Sequence, residues 1–284
     1  MILLPYATQT VLTRWPVANL ALIAVCSLVS LLGILDVLPD SAWELLVLDG
    51  WAPIGMVGHL LLHDGFLHLF FNMWALWVFG NPACETTGSL RYAALFLACG
   101  LAGAVTHNLI SEGYVVGASG AINGVIGFYL VLFPTNKVSC FYWIMMKVGT
   151  FEIAGYWLVA FWFLGDLWGV FFGNDRTAYG AHLGGVVAGL IIGFVYVKMG
   201  WSRLQWYDQP GLADLAAGKT PPSTVRPART REQLIREYRQ SQAQTAQPWE
   251  FPCPHCQTQL QVAAESTPSP ITCPACGGSI EIES

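Results

Sequence analysis

The sequence predicts an all-α bundle of six membrane-spanning helices, followed by a small β-structured metal-binding unit at the C-terminus. Three observations predict it. Only 11% of the 284 residues are charged while 54% are apolar, with 12 tryptophans; soluble domains carry about twice that charge. Apolar runs approaching spanning length recur between Val17 and Met199. Beyond residue 200 the composition turns polar and two Cys-x-x-C pairs appear. A soluble enzyme and a secreted disulfide scaffold are both excluded by this pattern. The net charge of −5 says little, because the charges are segregated along the chain.

The first span runs from about Val17 to Leu35, uncharged and preceded by Arg14. It is too long for the apolar core of a signal peptide, and no Ala-x-Ala site follows it. Residues 36–67 carry five acidic residues and no Lys or Arg, with Trp43, Trp51 and several leucines; they are expected to lie partly in the interface. The second span is about Leu67 to Gly80 and the third about Tyr92 to Ile110. A polar loop to Ala118 leads into the fourth, Ser119 to Phe133, which Pro134 closes. The fifth is about Ile153 to Phe172 and the sixth about Ala181 to Met199.

An even number of spans puts both termini on one side. With the N-terminus in the cytoplasm, Arg14, Arg91, Lys137, Lys147, Lys198 and Arg203 all fall inside, and Arg176 falls outside. Spans two, four and six then begin on the outer side, at His68 and Asn72, at Ser119 and at His182. These groups therefore share one depth. The fourth span has 15 residues, about 22 Å of helix, against a hydrocarbon core about 30 Å thick. A helix so short and glycine-rich is expected to be enclosed by the others, with Ser119 sunk below the outer surface.

Ser119 lies in Gly117-Ala118-Ser119-Gly120-Ala121, where a loop becomes a helix. A small-residue patch of this kind also serves helix packing. At a helix start, however, unpaired backbone N–H groups and the helix dipole favour a developing oxyanion. His182 is an ionisable residue inside a span, which is costly and points to function. Behind it Gly185 and Gly189 form a small-xxx-small stripe, expected to meet Gly120, Gly124 and Gly127 of the fourth span. His68 and Asn72 share a helical face, and both can donate to an oxyanion. His59 and His63 have metalloprotease spacing, but Leu60 stands where that chemistry needs Glu, so no catalytic metal is expected. His63, Asn72 and Asn123 are expected to line a water-filled pocket. Asp166 has two readings, a third member behind His182 or a water-facing carboxylate.

His63-x4-His68-Leu69-Phe70-Phe71-Asn72-Met73, Gly117-Ala118-Ser119-Gly120 and Ala181-His182-x-x-Gly185-x3-Gly189 together resemble the rhomboid family of intramembrane serine proteases, over about residues 50–200. The resemblance implies a six-helix rhomboid-like bundle in which Ser119 is the nucleophile and His182 the general base, a dyad with no required acid and no cofactor for catalysis. It implies His68, Asn72 and the Ser119 N–H as the oxyanion hole, with Gly117, Gly185, His63 and Asn123 in support. It implies cleavage of transmembrane protein substrates within the bilayer, entering by the fifth span or the cap loop. Glu85 and Arg91 fall where the family often has a structural pair. Family members often stack an aromatic residue on the histidine four places after the serine; here Asn123 takes that place and is expected to hydrogen-bond His182 instead. The competing readings are a non-proteolytic rhomboid-like protein that binds membrane clients, and a membrane anchor for the C-terminal unit.

That unit holds Cys253-Pro254-His255-Cys256 and Cys273-Pro274-Ala275-Cys276, with sixteen residues between the pairs. Two such knuckles predict a zinc ribbon with one structural Zn²⁺ on four thiolates, in a cytoplasm that keeps them reduced. Its surface is not basic, so a cytoplasmic protein partner is expected and nucleic acid is not. The domains predicted are a membrane domain at 1–200, a linker at 201–247 and the ribbon at 248–284. Within the linker, residues 230–242 read either as a helix on anionic lipid or as a solvated one. The compact layout and the lack of a transit peptide predict a multi-pass protein of a prokaryotic plasma (inner) membrane, its active site toward the outer face.

Overall fold

The computed structural model describes residues 2–10, 12, 14–144, 147–173, 177–201, 212, 249–262 and 271–280. The chain divides into two compact units, residues 1–224 and 225–284. Arg176, Arg203 and the expected helix at 230–242 lie outside the described residues.

The first unit is mostly helical. Its elements are β1 (Ile2–Thr8), α1 (Val17–Ile34), α2 (Asp40–Leu46), α3 (Gly55–Gly58), α4 (Phe66–Ala75), α5 (Asn81–Thr87), α6 (Ser89–Ile110), α7 (Ser119–Leu132), β2 (Lys137–Ile144), β3 (Lys147–Ala154), α8 (Gly155–Phe172) and α9 (Tyr179–Lys198). Four of these helices, α1, α6, α8 and α9, are long and apolar enough to cross a membrane. Two of the six expected spans are shorter. α7 has 14 residues, and α4 has 10 before a π turn at Leu76–Gly80 carries it into α5.

The π turn has a traceable cause. Such a turn leaves a carbonyl out of the regular ladder, and Asn19 of α1 supplies the missing donor. Its Nδ2 lies 2.9 Å from the Leu76 carbonyl and 2.8 Å from Asn81 Oδ1. Gly80 leaves room for this insertion, since a Cβ there would come 2.6 Å from the Tyr92 hydroxyl.

α7 is buried almost all round, from Gly120 to Leu132, as expected of a helix too short to face lipid. Its seam with α9 is backbone against backbone. A Cβ on Gly185 would overlap the Gly120 carbonyl, and one on Gly189 the Gly124 carbonyl. One on Gly127 would come 2.7 Å from the Val186 carbonyl. The two glycine stripes expected to meet do so.

The connection at 36–65 folds as α2, α3 and a 3₁₀ turn at His59–Leu61. It reaches the loop before α7 through a reciprocal bridge. Leu48 N–H donates to the Val115 carbonyl at 3.1 Å, and Val115 N–H to the Leu48 carbonyl at 2.9 Å.

The span-five prediction needs correction at its start. β2 and β3 pair antiparallel, and β2 also pairs with β1, in a three-stranded sheet of order β1-β2-β3. The fifth helix therefore starts at Gly155. Trp74 Nε1 donates to the Pro5 carbonyl at 2.6 Å and pins the sheet to α4. The Glu85–Arg91 pair also differs from expectation: Glu85 accepts from the Arg14 backbone N–H at 3.1 Å, and Arg91 lies over the Trp201 ring, 5.0 Å from its centroid.

The second unit contains two small hairpins, β4 (Trp249–Pro252) with β5 (Gln259–Val262) and β6 (Ile271–Thr272) with β7 (Ser279–Ile280). Each carries one Cys-x-x-C turn.

Candidate active site

Ser119 begins α7 and His182 sits in the first turn of α9. The glycine seam brings these helix starts together, and His182 Nε2 lies 2.9 Å from Ser119 Oγ. On its other side, His182 Nδ1 is 3.0 Å from Asp166 Oδ1 of α8. A carboxylate only accepts, so Nδ1 carries a proton and a neutral imidazole keeps Nε2 free to accept the serine proton. Tyr179 stands edge-on to the same imidazole with ring centroids 6.3 Å apart.

Gly117 sets the approach to Ser119. Its φ of +121° is one that residues with a side chain rarely adopt. A Cβ there would also come 2.8 Å from His68 Nε2 and 3.9 Å from Ser119 Oγ. His68 Nε2 and Ser119 Oγ thus border the same small space over Gly117. The loop is anchored below, where Gly117 N–H donates to the His59 carbonyl at 2.9 Å. His59 turns its own Nδ1 to the Gly55 carbonyl at 2.9 Å.

His68 Nδ1 is paired with Asp64 Oδ1 at 2.6 Å. Asn72 donates one amide N–H to the His68 carbonyl at 2.9 Å, which leaves its second.

Two supporting residues behave differently from expectation. His63 does not line an open pocket: it is fully buried. Its Nδ1 is 2.8 Å from Ser30 Oγ, and its Nε2 accepts the Ala118 N–H at 3.4 Å. Ser30 spends its own proton on the Leu61 carbonyl, so His63 is the donor at Nδ1. Burial first, and the neighbouring His68 second, push its pKa down to about 3, against a smaller opposing pull from Asp64. His63 is therefore a neutral strut beneath the loop that carries Ser119. Asn123 does not reach His182 either. Its Nδ2 donates to the Ser119 carbonyl at 3.0 Å, one turn back in its own helix. Local bonding of this kind competes effectively with longer-range partners. Ser30 and His59 were not singled out by sequence as supports of this site; their roles depend on long-range contacts.

The second unit brings Cys253, Cys256, Cys273 and Cys276 together, with all four sulfurs within 4.8 Å of one another. Cys253 and Cys276 are 3.8 Å apart and Cys256 and Cys273 3.7 Å. Four thiolates about 2.3 Å from a tetrahedral ion stand about 3.8 Å apart, so this set fits a metal ion. The two turns are built alike, with Cys253 N–H on the Thr258 carbonyl and Cys273 N–H on the Gly278 carbonyl. Cys256 Sγ lies 3.2 Å from the Thr258 hydroxyl.

The rhomboid domain matches residues 50–199. The chain is 31% identical over 162 residues to Rhomboid protein 1, mitochondrial, of Saccharomyces cerevisiae, covering 52% of this chain and 43% of that one. It is 27% identical over 153 residues to Rhomboid protease GlpG of Haemophilus influenzae, covering 52% and 72%. To Rhomboid protease GluP of Bacillus subtilis it is 37% identical over 78 residues, covering 28% and 15%. It thus spans less than half the length of the yeast and Bacillus relatives.

Proposed function

The chain belongs to the rhomboid family, and from that premise we propose that it is an intramembrane serine endopeptidase acting through Ser119 and His182. The observation that carries this reading is the 2.9 Å contact between Ser119 Oγ and His182 Nε2 at the meeting of two helix starts. In the acylation step His182 Nε2 takes the Ser119 proton as Oγ bonds to the peptide carbonyl carbon. The C–N bond then breaks, and the imidazolium gives its proton to the leaving amine. Water, deprotonated by the same nitrogen, attacks the ester; acid is released and Ser119 regains its proton.

The oxyanion forms beside the first turn of α7, whose N–H groups have no intrahelical acceptor. His68 Nε2 and the second amide N–H of Asn72 complete the hole. With Asp64 as counter-charge on Nδ1, a protonated His68 can donate from Nε2.

The substrates in this reading are single-span or multi-span membrane proteins. The spans are α1, α4 with its π turn, α6, α7, α8 and α9, in a plasma membrane with both termini in the cytoplasm and the dyad toward the outer face. The Lys and Arg distribution supports that orientation. The domain limits follow as 1–200, 201–247 and 248–284.

The test is cleavage of a single-span substrate with a helix-destabilised segment by the full chain in liposomes. Product from the wild type and none from Ser119→Ala is expected. Product from both proteins would remove Ser119 from the chemistry.

For the second unit we propose a structural Zn²⁺ on Cys253, Cys256, Cys273 and Cys276, in a zinc ribbon that binds a cytoplasmic protein rather than nucleic acid. Its support is the tetrahedral sulfur spacing. Elemental analysis of purified protein is expected to find about one zinc per chain. The double substitution Cys256→Ser, Cys276→Ser should lose it and expose the second unit to protease. A wild-type chain purified without chelators and found free of zinc would contradict the assignment.

A further inference from the structure

α8 is less enclosed than α6 and α9. Its most apolar stretch is 22% buried, against 39% for α6 and for α9. Its attachment is uneven. At the inner end Leu158 and Val159 are buried, and Trp162 meets Phe79 edge-on at 6.0 Å. In the outer half Leu164, Leu167, Trp168, Val170, Phe171 and Phe172 are all exposed. Contacts with α9 hold that half in place. Gly169 and Gly173 bracket the Tyr179 ring, which a Cβ on either glycine would strike. Three residues before Gly169, Asp166 meets His182 at 3.0 Å, both side chains only 15% exposed.

We propose that Asp166 positions the His182 imidazole from α8, so that the site is competent only while the outer half of α8 is docked on α9. The proposal rests on the Ser119–His182 reading above. An acceptor on Nδ1 fixes the proton there and turns Nε2 toward Ser119. A carboxylate in a site of low exposure also stabilises the imidazolium formed as Ser119 attacks. Asn123 turns its Nδ2 to the Ser119 carbonyl, and Tyr179 meets the imidazole edge-on; the hydrogen bond at Nδ1 is to Asp166. The charge sits in the outer half of α8, whose apolar side chains are largely exposed, so movement of that half removes it from His182.

The experiment compares wild type, Asp166→Asn and Ser119→Ala as full chains in detergent with one single-span substrate. kcat and KM are separated, and the ring nitrogens of ¹⁵N-histidine-labelled protein are read by NMR, with His182→Gln to assign the signal. Asp166→Asn is expected to lower kcat about 10- to 100-fold with KM within about twofold. His182 is expected to be the Nδ1-protonated tautomer in wild type and a mixture in the variant. A kcat within about twofold of wild type would overturn the proposal. So would an Nε2-protonated His182 in the wild type, which decides the matter even if the variant folds poorly. Cleavage persisting in Ser119→Ala would instead overturn the reading on which the proposal rests, so the two failures are distinct.

Discussion

His182→Ala is expected to silence peptide cleavage as completely as removal of Ser119 does. Nε2 is the atom within hydrogen-bond reach of Ser119 Oγ, and an un-ionised serine hydroxyl is a weak nucleophile without a base beside it. General base catalysis alone accounts for about 10²- to 10⁴-fold. Here the same nitrogen must also protonate the leaving amine, so the loss should reach the upper end of that range or exceed it. Because the two residues act as one unit, the double variant Ser119→Ala, His182→Ala should be no slower than either single one. Rates measured with saturating substrate would check this. A double variant markedly slower than both single ones would mean that the residues act independently.

The second large effect is on stability. Gly189→Leu puts a side chain into the Gly124 carbonyl, and Gly185→Val puts one into the Gly120 carbonyl. Neither clash can be relieved by a rotamer, because the obstacle is backbone. The α7–α9 seam must open, which separates the helix starts carrying Ser119 and His182. Overpacking costs about 1–3 kcal/mol when side chains can yield; with backbone in the way at least the top of that range is expected. That corresponds to a fall in Tm of about 10 °C, with loss of activity even in the molecules that remain folded. Gly165→Ala is the control. Its Cβ meets nothing within 4 Å, and alanine favours helix over glycine by about 1 kcal/mol. Thermal unfolding of the three variants in one detergent separates the seam from a general intolerance of substitution. Equal Tm values for Gly189→Leu and wild type would refute the close-packed seam.

Much of this arrangement is legible in sequence because the bilayer leaves few alternatives. The limits of α1, α6, α7 and α9 follow from apolar runs, Pro134 and the glycine-rich links, and the glycine stripes on α7 and α9 announce their own contact. Ser119 and His182 stand out because polar groups inside spans need a reason. What is not legible depends on partners distant in the chain. β1 pairs with β2 some 135 residues later, and the aromatic run from Phe141 to Trp143, flanked by lysines, reads equally well as a connection. The π turn after α4 follows from Asn19 on another helix. His63 looks like a pocket residue by type, yet it is enclosed by Ser30 and the Ala118 amide. Asn123 shares a face with Ser119, but helical position gives its neighbours without choosing between the His182 ring and a carbonyl one turn back. Asp166 has two readings in sequence and acquires a partner only once α8 is laid beside α9.

The most direct measurement uses no substrate. The full chain in detergent is treated with a fluorophosphonate probe, and the modified peptide is located by mass spectrometry. The probe accepts only an activated nucleophile and mimics the tetrahedral oxyanion, so it reports the base and the hole together. The predicted result is a single adduct on Ser119, absent from Ser119→Ala and formed far more slowly in His182→Ala. Modification at another residue, or an unmodified Ser119 in protein that still cleaves a membrane substrate, would contradict the account.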